Sequence, residues 1–184
     1  MVARLLIGFL ALLFAANSQA GMILRGSGGG GGTENLGYES IGENPGTPDS
    51  GDVRASPLDN AGHTGTITSI YIYSSNTDAA QDIKLGIYTD SSGPNTLVGS
   101  QEFTNVGTWS AEWHQFTGLS IPVTATNSYW LAWSVSIDSV TTMYNDDVTG
   151  TRYIDFNTYP TWNDPFTSDG TTTATYSIYA VIEY

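Results

Sequence analysis

Between Ser128 and Ser136 the chain reads Ser-Tyr-Trp-Leu-Ala-Trp-Ser-Val-Ser, and this run limits the fold more than any other. On an extended chain Tyr129, Leu131, Trp133 and Val135 fall on one side, and Trp130, Ala132, Ser134 and Ser136 on the other. A period of two marks a β-strand with one face buried. Each large side chain on that face contributes about 1.5–3 kcal/mol when buried. Thr124-Ala125-Thr126-Asn127 just upstream is turn-forming, so the strand has a defined start. The run is expected to be a central strand of a β-sandwich, with the remaining strands covering its apolar face.

Further strands follow from the same pattern. Gly65 to Tyr73 is a run of β-branched and aromatic residues. Gln81 to Tyr88 alternates, with Ile83, Leu85 and Ile87 on one side. Val53 to Leu58 is expected to be an edge strand because of Pro57. Leu97–Phe103, Glu112–Thr117, a short piece over Ser120–Val123, Val140–Tyr144, Arg152–Phe156 and Thr173–Tyr184 complete the set. No helical period occurs in the body of the chain, and only 12% of residues are charged. The expected fold class is all-β: an antiparallel, jelly-roll-like β-sandwich over 51–184.

Residues 1–20 have the form of a secretory signal: Arg4, an apolar run from Leu5 to Ala16, and Ser18-Gln19-Ala20 before Gly21. The alternative is an uncleaved hydrophobic anchor, a short leader helix that would be the protein's sole contact with a membrane. Residues 21–50 hold five consecutive glycines and then no clear period, which suggests a flexible linker and an irregular arm, with a short strand around Tyr38 to Ile41 as the other option. The glycines have no preceding strand or Lys-Ser/Thr pair, so they do not form a phosphate loop.

A formal charge of −13 argues against a nucleic-acid partner, because phosphate contacts need a basic face. The absence of cysteine excludes disulfides, thiolate metal sites, cysteine nucleophiles and a lipoprotein anchor. Oligomeric state leaves no trace in the pattern. Glu102 and Glu112 lie on separate strands and make no paired-carboxylate motif, and there is no Gly-x-Ser-x-Gly elbow. His63 and His114 lack metal-ligand spacing. The chain is therefore read as a non-enzyme, with a dispersed glycosidase site as the remaining catalytic option, and no cofactor is expected.

Two kinds of site are compatible with the sequence. The segment Tyr159-Pro160-Thr161-Trp162-Asn163-Asp164-Pro165-Phe166 is stiffened by two prolines. It either displays Tyr159 and Trp162 for stacking on a sugar, with Asn163 and Asp164 taking hydroxyls, or folds back to plug an end of the sandwich. Trp130, opposite the core face, joins this candidate set and is either exposed or covered by the N-terminal arm. Asp90, Asp146 and Asp147 sit in oxygen-rich loops suited to Ca2+, although Asp and Asn also initiate turns through their own backbone.

Several stretches together resemble a known family. They are Gly65–Tyr73, Lys84-Leu85-Gly86-Ile87-Tyr88-Thr89-Asp90 with Gly93, Pro94 and Leu97-Val98-Gly99, Trp113–Phe116 leading to Ile121-Pro122-Val123, Tyr129–Ala132 and Tyr176–Tyr179. The family is that of secreted, carbohydrate-binding-like jelly-roll modules of the choice-of-anchor type, found in bacterial, archaeal and phage surface proteins. The resemblance covers roughly 53–184 and implies extracellular or cell-surface binding or adhesion, with a glycan as partner. A structural or decoration subunit of a phage particle or filament, located on the virion, is the alternative.

Overall fold

The computed structural model describes residues 31–58, 62–146 and 150–184, and Gly31–Tyr184 forms one unit. The leader, the first three residues of the glycine run (28–30) and Asp147 lie outside the described residues.

Two antiparallel sheets make the fold. The first is built on β4 (Gly65–Asn76). Along one edge of β4 runs β7 (Trp109–Val123), paired from Gly65↔Val123 to Asn76↔Trp109. The other edge is shared. There β13 (Ile178–Glu183) pairs with Thr66 to Ile72, and β9 (Thr141–Asp146) with Ser74 to Asn76. Beyond β13 lies β1 (Thr33–Tyr38), while β2 (Asn44–Gly46) and β12 (Thr175–Tyr176) pair with β9. The second sheet runs, in order, β11 (Gly170–Thr172), β10 (Arg152–Asp155), β3 (Val53–Leu58), β8 (Tyr129–Val135), β5 (Ile83–Asp90) and β6 (Pro94–Phe103). The all-β, two-sheet architecture is as expected.

Between the sheets one core forms from alternating residues of both. Ile67, Ile70, Ile72, Phe116, Ile178 and Ile182 meet Leu85, Ile87, Leu131 and Trp133. The strand formed by the Ser128–Ser136 run, β8, lies between β3 and β5 as expected, but all seven of its residues are buried. Its second face is covered by a separate cluster: Val53, Ala55, Tyr88, Trp130, Ala132, Trp162 and Phe166. Period-two alternation identifies which residues share a face; it cannot say whether the smaller face is dry.

Three boundaries differ from expectation. The sandwich takes in residues 33–46, read above as irregular arm, because β1 and β2 join the first sheet. Within β1 only Leu36 is fully buried, so the alternation was too faint to read. Strand β3 is interior, yet β10 pairs only with Val53 to Ala55, so Pro57 faces an unpaired edge where its missing N–H costs nothing. The two pieces expected over 112–123 are one strand with a bulge, where Gly118 takes φ +86° opposite the step between Ile67 and Ser69.

Candidate functional site

The proline-stiffened loop is buried against the outer face of the second sheet. Across that face Ala55, Ala132 and Gly86 are direct neighbours on β3, β8 and β5, forming a shallow trough. Trp162 fills it and is only 9% exposed. Its indole Nε1 donates to Ser134 Oγ at 2.8 Å, its ring stacks on Tyr88 at 5.9 Å, and the Lys84 ammonium lies 4.9 Å from the ring centre. Phe166 meets Tyr88 edge-on at 5.2 Å. Asn163 Nδ2 donates to both oxygens of buried Asp155 at 3.0 Å, and the Tyr88 hydroxyl donates to the Asn163 carbonyl at 2.8 Å. Asp164 accepts the Leu97 N–H at 3.1 Å. Tyr159 is half-buried, and burial, helped by Glu102, raises its phenol above the ordinary range. The expected sugar-facing display of Trp162 is thus corrected: the loop is a lid over a sheet face, and the aromatic that would have stacked on a sugar stacks on Tyr88. It also covers a face of the sandwich, not an end.

The structure joins two of the other predicted residues. Trp130 is 8% exposed, packs edge-on against Tyr153 at 5.0 Å, and donates from Nε1 to Asp90 Oδ1 at 2.7 Å. Among the described residues it is covered by Tyr153 of β10. Asp90 Oδ1 also accepts the Gly93 N–H at 3.0 Å, closing the turn into β6. The two residues form part of a cleft at the end of the second sheet. Asp146 lies in the other sheet, where its carboxylate accepts from the Tyr38 hydroxyl and the Glu43 N–H. Asp90 and Asp146 therefore do not share a site, and among the described residues no group of three or more His, Asp or Glu is placed to hold a metal ion. Glu102 pairs opposite Lys84 in the second sheet and Glu112 opposite Ser74 in the first. His63 stacks on Tyr184 at 3.7 Å. His114 stacks on Trp109 at 4.0 Å, and burial holds its imidazole below the ordinary value.

An array that the sequence reading missed lies on the outer face of the first sheet. Tyr71 and Tyr73 of β4, Trp113 of β7, Tyr179 of β13 and Tyr144 of β9 all point away from the core and are partly exposed. Register makes Tyr71 the direct partner of Tyr179, and Tyr73 that of Trp113. The rings touch in an unbroken series. Tyr144 meets Tyr73 edge-on at 5.1 Å, Tyr73 meets Trp113 at 5.6 Å, Trp113 meets Tyr179 at 5.1 Å, and Tyr179 stacks on Tyr71 at 4.7 Å. Gln115 lies directly across from Tyr71, and Glu39 near Tyr179. Burial, with the neighbouring Tyr71 and Glu39, raises the Tyr179 phenol. The three described cations, Arg54, Lys84 and Arg152, all belong to strands of the second sheet. The signal was present in the sequence: each ring occupies the side of its strand opposite the core residues, where small polar residues are usual.

No family model, curated protein or solved structure matches the chain.

Proposed function

We propose that the chain is a non-catalytic, jelly-roll-like module that binds a neutral glycan, outside the cell or on a cell surface, through the aromatic face of the first sheet. The observation that carries this reading is the continuous series Tyr144, Tyr73, Trp113, Tyr179, Tyr71, whose rings are all partly exposed among the described residues. A sugar ring presents C–H groups on one face and hydroxyls around its rim. The C–H face suits the negative face of an aromatic ring. The hydroxyls suit acceptors such as Glu39 and the amide of Gln115. The rings already support one another, so little side-chain freedom is lost on binding. Among the described residues the face carries no Lys or Arg, and on a chain of charge −13 this disfavours anionic ligands and also a second acidic copy.

The test is affinity electrophoresis and pull-down on neutral polysaccharides: cellulose, xylan, mannan and chitin. Wild type is expected to be retained by at least one, and Trp113→Ala, still folded by circular dichroism, to bind about tenfold more weakly, the equivalent of about 1.4 kcal/mol. Equal retention of wild type and Trp113→Ala, or none on any matrix, overturns the reading.

A further inference from the structure

We propose that the cleft at the end of the second sheet is a second, separate ligand site, shaped for a single uncharged sugar residue such as a chain end. The cleft holds about 590 Å³, within the range of small-molecule sites, about 300–1,000 Å³. Its walls come from three places: Pro57 of β3, Asp90 and Trp130 of β5 and β8, and the turn carrying Thr126, Asn127 and Ser128.

The polar centre is Asp90. Oδ1 is occupied by the Trp130 indole and the Gly93 N–H, at 2.7 and 3.0 Å. These two bonds fix the carboxylate, and among the described residues no donor meets Oδ2. An exposed carboxylate held by one oxygen offers the other to hydroxyl donors at little orientational cost. Beside it the exposed ring of Pro57, directly across from the buried Trp130, supplies an apolar patch. The opposite rim is strapped in place as well. The Tyr129 hydroxyl accepts the Thr124 N–H at 2.8 Å, and Thr64 Oγ1 accepts the Ala125 N–H at 3.0 Å.

The chemistry is therefore acceptor-rich, with one apolar wall and, among the described residues, no cation in its lining. Phosphates and carboxylates are disfavoured by Asp90. A pyranose ring supplies what is missing: hydroxyl donors on one edge and a C–H face for Pro57. The site does not rest on the aromatic face, since it lies on the other sheet and shares none of its five rings.

Methyl glucoside, methyl mannoside, methyl galactoside and N-acetylglucosamine, each at millimolar concentration, are titrated into the full chain while amide shifts are followed. At least one is expected to move amides of Asp90–Gly93 and Ala125–Trp130. Asp90→Asn keeps an oxygen for Trp130 and Gly93, and it is expected to weaken that ligand about tenfold. Thr126→Trp, on the exposed rim, obstructs the cleft should the first variant fold poorly, and is also expected to abolish the shifts. Trp113→Ala leaves them unchanged, so failure here and failure of the aromatic face are separable. The proposal is overturned if no sugar moves these amides, if both cleft variants bind as wild type does, or if calcium chloride moves them and the sugars do not.

Discussion

Trp162 donates its indole N–H to Ser134 Oγ across the outer face of the second sheet, 2.8 Å apart and sealed from solvent. That bond turns an apparent display loop into part of a core. Trp162→Ala is expected to cost about 3–5 kcal/mol, the range for emptying a buried aromatic site. Ser134→Ala strands a buried N–H and is expected to cost about 1–3 kcal/mol. Urea titrations check both. A Trp162→Ala midpoint equal to wild type would mean that the loop is not docked as described.

Gly86 is the other half of the same fit. A Cβ there would lie 2.7 Å from the Gly99 carbonyl oxygen and 2.8 Å from the Trp162 ring. Gly86→Ala is therefore expected to lift Trp162 from its trough, with a red shift in tryptophan emission and a loss of about 1–3 kcal/mol, the usual range for overpacking. Unchanged emission would argue that the ring sits elsewhere.

These two residues also show what could be read from sequence and what could not. The strand set around β4, β5 and β8 was legible because aliphatic residues recur every second position, and each such strand must bury that side somewhere. The docking of Trp162 depends on Ala55, Ala132 and Gly86 becoming neighbours, which is a matter of strand order and register. A glycine inside an otherwise alternating strand is a sign of close approach by another group, but nothing local says which group arrives. The aromatic face shares that limitation. Tyr71, Tyr73, Trp113, Tyr144 and Tyr179 come from four strands separated by long stretches of chain, and only the sheet brings them together.

Residues that serve binding on an exposed face should be separable from residues that hold the fold. Trp113→Ala and Tyr73→Ala remove partly exposed rings and are expected to change stability by about 1 kcal/mol, the typical value for a point change. Tyr88→Ala removes a fully buried ring and the hydrogen bond to Asn163, and is expected to cost at least about 3 kcal/mol. Thermal melts of the three variants check this. Equal losses at Trp113 and Tyr88 would mean that the outer face of the first sheet is packed structure and not a platform.

Acid should act on this fold through two opposed groups. Burial beside Trp109 and Phe116 holds His114 below its ordinary value, against the weaker attraction of Glu112. In the unfolded chain the imidazole takes a proton near about pH 6.5; in the folded chain it does so only at lower pH. Stability from His114 is therefore complete above the unfolded value and falls as the pH drops from there to the folded value. Asp155 and Asp52 act the other way. Burial raises both carboxyls, so the folded state takes their protons first, and acidification through the folded values relieves the cost of keeping them charged. The expected profile is a decline in urea midpoint as the pH falls through about 6.5, easing at lower pH as the two carboxyls protonate. His114→Gln removes the decline, and Asp155→Asn, which turns an N–H toward the Asn163 amide, lowers stability at every pH. A His114→Gln profile parallel to wild type across that window would show that the buried imidazole is not its source.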